Sequence, residues 1–211
     1  MMGMGESVVS TWASGLDGVP LEARNVNQQH AAAGLVALPA AVAAFRQGGV
    51  EDDLRALIGR ALPGASAQAA AELVARVGPA AVAEVLAEAR CSVMTEVAET
   101  PGDSLISAHD AGRILIALAE GRLTDPEDAA ELERLMREHD ERDGLPLGLP
   151  ADVTVANVIG GSDGVRHDIA LVRSGERPPT VICLLTSGLD EDEAEVRVGE
   201  LARYLWDTLP R

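Results

Sequence analysis

The sequence predicts an α+β protein: one sheet assembled from both ends of the chain, with a mainly helical block inserted between them. Three observations carry this. Strand-like patterning is confined to residues 6–30 and 151–211. Residues 31–150 read as Ala/Leu/Val-rich helical runs punctuated by Gly and Pro. The chain then closes on an amphipathic helix. Strands, a block of helices and strands again is the order of an α+β domain, not of alternating βα units. A length of 211 residues suits one domain, 1–211, with a sizeable core.

Each element has a local reason. Glu6 to Ser14 (ESVVSTWAS) is strand-like, Gly15-Leu16-Asp17-Gly18 is a turn, and Pro20 to Val26 can return as a second strand. Ala32 to Gln47 is a helical run containing Pro39 and stopped by Gly48-Gly49. Glu51 to Arg60 is a short helix ended by Leu62-Pro63-Gly64. Ser66 to Val77 stops at Gly78-Pro79, and Pro79 serves as first-turn proline for Ala80 to Arg90. Ser92 to Ser107 is irregular, with Thr100-Pro101-Gly102-Asp103 as its turn. Ala108 to Glu120 is helical, and Thr124-Asp125-Pro126-Glu127 opens a helix expected to run to about His139. Gly144 to Pro150 reads as a Gly/Pro/Leu linker. Val153 to Ile159, Val165 to Arg173 and Thr180 to Thr186 are strands. The unbroken apolar cores Ile169 to Val172 and Val181 to Leu185 predict burial on both faces. Glu191 to Leu209 is the closing helix, with Val198, Leu201, Ala202, Leu205 and Leu209 on one face. The acidic run Asp190 to Glu195 suits the positive end of its dipole.

Composition removes several functions. All 17 basic side chains are Arg. Without lysine there is no Schiff-base lysine, no P-loop lysine and no lysine general base. A net charge of −17 argues against a nucleic-acid or anionic-membrane partner. Aromatics make up 2% of the chain, so Ala, Leu and Val must build the core. Met1 to Glu6 lacks the basic and apolar regions of a secretory signal, and no apolar stretch reaches spanning length. Cys91 and Cys183 read as reduced core residues of a cytoplasmic protein. The 4 histidines are scattered, which predicts no metal site and no cofactor.

Three segments carry a resemblance. Leu149 to Ala170 reads LP-x-x-V-x-VAN-V-I-G-x-x-x-GVRHD-x-A. His30-Ala31-Ala32-Ala33-Gly34-Leu35-Val36-Ala37-Leu38-Pro39 has the form F-x-A-A-S-x-x-K-L-P with its key residues changed. Ala65-Ser66-Ala67 stands where an S-D-N triplet is spaced back from Gly78. In this order, from about Val8 to Leu209, the chain resembles the class A serine β-lactamase and penicillin-binding-protein family. The resemblance implies a β-lactamase/transpeptidase-like fold with an antiparallel sheet. In that family the SxxK serine attacks a carbonyl, its lysine helps remove the proton, and the KTG lysine and threonine bind the substrate carboxylate.

Here the resemblance places Gly34 at the nucleophile and Ala37 at its lysine. Ala65 and Ala67 stand at the S-D-N serine and asparagine, and Val158 and Ile159 at the KTG lysine and threonine; Gly160 alone is kept. Loss of every polar member together avoids the half-satisfied buried network that a single loss would leave. The expectation is a protein that is not a serine hydrolase. The backbone N–H groups of Gly34 and Gly161, beside the apolar residues Ala37, Ala67, Val158 and Ile159, would still bind a carbonyl. One reading is therefore a small-molecule protein binding an apolar carbonyl-bearing ligand, with a non-covalent cyclisation, isomerisation or elimination open to it. The other is a pseudoenzyme that acts as a protein–protein interaction module around a collapsed cleft.

His30, at the family's Phe position, is the candidate general base, against the alternative of a core histidine with a satisfied hydrogen bond. Asn157 can offer its amide to a ligand. His167-Asp168 reads as structural, Ser162 and Asp163 as turn residues, and Asp110 as a first-turn charge; His139 suggests nothing. Glu96 and Glu99 lie in the irregular segment without a motif to fix either as a deacylating glutamate. In the family a helix precedes the first strand and packs beside the C-terminal helix. With only Met1 to Gly5 before the first strand here, apolar surface near Val198, Leu201, Leu205 and Leu209 is expected to be uncovered and closed by a homodimer.

Overall fold

A hairpin opens the chain, and its partner strands arrive only at the other end. The computed structural model describes residues 7–48, 50–62, 66–98, 103–138, 143–162, 164–175 and 177–210. Strands β1 (Val8–Gly15) and β2 (Pro20–Arg24) pair antiparallel around a turn in which the Gly18 N–H donates to the Gly15 carbonyl at 3.2 Å. Strands β5 (Thr154–Ser162), β6 (Val165–Arg173) and β7 (Thr180–Ser187) complete a 5-stranded antiparallel sheet in the order β2-β1-β7-β6-β5. The pairing of Gly15 with Thr180 joins the two ends of the chain, as the patterning predicted.

The inserted block is helical. A short strand β3 (His30–Ala31) leads into a 3-10 turn (Ala33–Val36) and then α1 (Ala37–Arg46), α2 (Asp52–Ala61), α3 (Ala67–Val77) and α4 (Pro79–Glu88). Strand β4 (Leu105–Ile106) pairs with β3, and α5 (Ala108–Ala119) and α6 (Pro126–Leu135) follow. Pro39 sits in the first turn of α1, where its missing N–H breaks no helical bond. Ser66, Ser107 and Asp125 cap α3, α5 and α6 through their side-chain oxygens. The single helix expected over 32–47 is thus a 3-10 turn followed by α1. The helix after Asp125 stops at Leu135, short of His139, which lies outside the described residues together with Ala65, Glu99 and Asp163.

The two faces of the sheet hold separate cores. On one face α1, α3 and α5 pack over Trp12, Val158, Ile169, Leu171, Val181, Cys183 and Leu185. Trp12 is seated in a notch on α5 at Gly112, where its ring leaves no room for a Cβ. The other face is covered by α7 (Leu145–Gly148) and α8 (Glu191–Thr208), over Ala13, Ala170, Val172, Ile182 and Leu184.

Two expectations are corrected here. The linker at 144–150 is a buried helical turn, because Leu145 and Leu149 have an apolar seat between sheet and closing helix. The stripe expected to be uncovered on the closing helix is not: Val198, Ala202, Leu205 and Leu209 are buried within the chain and Leu201 is half-buried. That stripe is the face α8 turns toward the sheet, so the premise of the homodimer falls. Both cysteines are free, and no helix among the described residues is long and apolar enough to cross a membrane.

Candidate functional site

The 3-10 turn and β5 meet backbone to backbone. A Cβ on Gly34 would stand 2.8 Å from the Ile159 carbonyl oxygen and 3.3 Å from Gly160 Cα. A Cβ on Gly160 would stand 2.9 Å from Leu35 Cγ and 3.3 Å from the Ala32 carbonyl oxygen. Both positions therefore need glycine for close approach. Ala33, just before Gly34, has φ +45°, a left-handed conformation that costs a non-glycine residue about 1–2 kcal/mol. Ala37 and Val158 are fully buried in the same core, and Ala67 opens α3, which packs on the turn and on β5. Among the described residues the turn lies directly against the strand at this point, where neither Gly34 nor Gly160 carries a Cβ. Hollows open elsewhere. One of about 330 Å3 lies between α5, α6 and β6. Another, of about 450 Å3, is lined by Ile159, Gly161, Val165, Leu189 and Ala194.

The predicted site residues on β5 do not share one face. Strand alternation turns Val158 and Gly160 to the helical block and Asn157, Ile159 and Gly161 to α8. Asn157 therefore lies on the side of β5 opposite Val158 and Gly160. Its amide Nδ2 donates to Asp168 Oδ1 at 2.9 Å, and the Leu145 N–H donates to Asp168 Oδ2 at 2.8 Å. Beside them Arg166 pairs with Asp143 at 2.9 Å. Burial pushes the Asp168 carboxyl up to about 7, against the pull of the Asn157 amide, the Leu145 N–H and Arg166. Asp168 thereby ties α7 to β6, which agrees with the structural role expected for it.

His30 lies on the helical face over β1 and β7, with β6 between it and the Gly34–Gly160 contact on β5. It is 3% exposed. Its Nε2 is 2.8 Å from Ser10 Oγ and its Nδ1 is 2.6 Å from Ser187 Oγ. Its ring meets that of His167 edge-on, with centroids 5.5 Å apart. Burial lowers the His30 pKa. His167 accepts from the Thr186 N–H at Nδ1 (3.2 Å) and donates from Nε2 to the Ala31 carbonyl (2.8 Å). Its full burial takes it down to about 4, although the Ala31 carbonyl favours the charged ring.

Sequence reasoning missed two arrangements. Ser10 and Ser187 had no local signal, being 20 and 157 positions from His30. Asp110 is more than a first-turn charge: it is 1% exposed, and its Oδ2 accepts from Ser92 Oγ at 2.8 Å and Thr95 Oγ1 at 2.7 Å. No group of His, Cys, Asp and Glu fit to hold a metal ion occurs among the described residues.

A sequence profile of the β-lactamase enzyme family matches residues 65–209, more than half of the chain. The chain belongs to the β-lactamase enzyme family. Solved structures of similar fold agree. A β-lactamase from Sphaerobacter thermophilus superposes with a TM-score of 0.82 at 17% identity, covering 98% of this chain and 94% of that one. A structure of PBP-A gives 0.82 at 17% identity over 95% and 89%. A class A β-lactamase from Bacteroides cellulosilyticus gives 0.82 at 14% over 96% and 91%. A search of curated proteins gave no match. The family profile begins after the 3-10 turn, so in this β-lactamase-family chain the segment His30 to Pro39 is placed by fold alone.

Proposed function

We propose that this β-lactamase-family chain acts by binding a protein partner and not by the family's acyl-enzyme chemistry. The observation that carries the reading is the seat of the 3-10 turn on β5, where Ile159 O stands 2.8 Å from the site of any side chain at residue 34. A nucleophile there would need the turn to lift away from the strand. Ala37 and Val158, at the positions the resemblance gives to the two lysines, are fully buried among apolar neighbours. The competing reading, a carbonyl-bearing ligand between Gly34 and Gly161, has open space at Gly161 but meets this backbone contact at Gly34.

A second feature favours binding. Val93 is 96% and Met94 58% exposed, side by side at the tip of a turn whose Thr95 N–H donates to the Ser92 carbonyl at 3.1 Å. Ser92 and Thr95 both anchor on buried Asp110. An apolar tip on a fixed mount loses little freedom on docking into a partner's pocket.

The test is incubation with nitrocefin and with penicillin G, read by absorbance and by peptide mass mapping. The expected result is no turnover and no adduct. Nitrocefin hydrolysis, or a stoichiometric penicilloyl adduct on Ser66, which lies between Ala65 and Ala67, or on Ser162, which follows Gly161, overturns the proposal.

A further inference from the structure

On the same sheet face, away from Gly34, a chain of hydroxyls and imidazole closes completely. Ser10 Oγ lies 3.0 Å from the Asn25 carbonyl, which can only accept, so the single hydroxyl proton of Ser10 goes there. Ser10 Oγ then accepts from His30, which puts a proton on Nε2. Burial favours the neutral ring, so Nδ1 carries a lone pair and accepts from the Ser187 hydroxyl at 2.6 Å. A serine hydroxyl on an imidazole lone pair, with the ring oriented by a third group, is the arrangement of an activated nucleophile. Ser187 is half-buried, at the open end of β7. His30 stands where the resemblance has Phe, and Ser187 lies outside every segment that carries the resemblance.

We propose that Ser187, with His30 as its base, is a nucleophile that takes an acyl group from small, neutral, activated esters. Ser187 Oγ adds to the ester carbonyl carbon as its proton passes to His30 Nδ1. Ser10 holds the imidazolium through Nε2–H. The tetrahedral intermediate expels its alcohol, which leaves with the proton from Nδ1, giving acyl-Ser187 and a neutral ring. In the second half His30 takes a proton from water, the hydroxide adds to the acyl carbon, and Ser187 departs with the proton returned. The products are the carboxylic acid and the starting protein.

Val8 and Val165 flank Ser187 in register, both half-buried, which suits a short apolar acyl group. A chain charge of −17 disfavours anionic esters. General-base assistance alone is worth roughly 10²–10⁴-fold, so aryl esters fall within reach and peptide bonds do not. The site is separate from residue 34: penicillin acylation and ester acylation are read on different peptides, so either reading can fail alone.

The test uses the full chain with p-nitrophenyl acetate and, separately, a fluorophosphonate probe, with adducts mapped by mass. Both should fall on Ser187. Ser187→Ala and His30→Phe should lower the labelling rate at least tenfold. Ser187→Ala changes one half-buried atom and decides the matter even where His30→Phe fails to fold. The pH dependence is a second readout. Among the described residues the titratable group in ring contact with His30 is His167, itself held neutral. With His30 as base, the labelling rate should be flat from pH 7 to 9, whereas an unassisted serine gains about tenfold per pH unit from hydroxide. Ser10 is a positioning residue: Ser10→Ala frees the other tautomer and should lower that flat rate several-fold without tilting it. Labelling of Ser187→Ala at the wild-type rate, or a tenfold rise per pH unit in the wild type, overturns the proposal.

Discussion

Two places on one face of the sheet have opposite chemistry. At Gly34 and Gly160 backbone lies against backbone, and the neighbouring Ala37 and Val158 are buried and apolar. At Ser10, His30 and Ser187 each hydroxyl and the ring N–H has an acceptor. Both are buried and both are stable for the same reason. A polar group in an apolar interior is tolerated when its network closes and is better removed entirely when it does not. Intermediate arrangements are the costly ones, and the comparison can be tested by making them.

The largest effect is expected from placing polar side chains in the apolar one of the two places. Gly34→Ser with Ala37→Lys places a Cβ against the Ile159 carbonyl and an ammonium beside Ala and Val side chains. Overpacking and an unpaired buried charge together should cost about 4 kcal/mol or more, seen as a lowered urea midpoint, with no gain of nitrocefin turnover. Near-wild-type stability would mean that the turn lifts from β5 easily and the cleft is only nominally closed.

A smaller effect separates the closed network from its neighbour Asp168 by pH. Unfolded histidine titrates near 6.5 and folded His167 near 4. Its contribution to stability is therefore full above pH ~6.5 and lost as pH falls toward 4. Asp168 has the opposite sign: raised to about 7 from an unfolded value near 3.9, its contribution is full at low pH and lost as pH rises through 7. Urea midpoints between pH 4.5 and 8 should show Asp168→Asn losing stability toward acid more steeply than wild type, and His167→Gln less steeply. Parallel curves for all three proteins would count against this assignment of charge.

The smallest effect is local. Ala33→Gly removes the left-handed penalty but adds chain entropy to the unfolded state, so a net gain of about 0.5 kcal/mol is expected in thermal melts. A loss would mean that the Ala33 methyl packs usefully and that the strain is offset.

Much of the fold was legible because it is written locally. The runs Ile169 to Val172 and Val181 to Leu185 are apolar at every position since both faces of those strands are covered. Gly48, Gly78 and Gly121 end helices where the backbone turns to positive φ. The site was less legible, for two physical reasons. Adjacent strand residues point to opposite faces, so Asn157, Ile159 and Gly161 face α8 while Val158 and Gly160 face the helical block. That division is readable from parity alone. The partners of His30, in contrast, come from two distant strands, and no spacing rule connects them. The Leu-Pro-Leu-Gly turn at 145–148 was read as a linker because one helical turn has no period to detect, yet Leu145, with Leu149 just beyond, seats it in the core.

The pairing of β1 with β7 has a consequence during synthesis. Gly15 finds its partner only when Thr180 has been made. At about 5–20 residues per second, β1 and its hairpin wait roughly 10–30 s on the ribosome with one edge unpaired. For the earlier part of that interval Trp12 also lacks its seat, since the α5 notch at Gly112 has not yet been made. An unpaired edge with a bare tryptophan is a target for other strands. Moving residues 7–29 behind Arg211 through a flexible linker would let the sheet assemble as one late, continuous block.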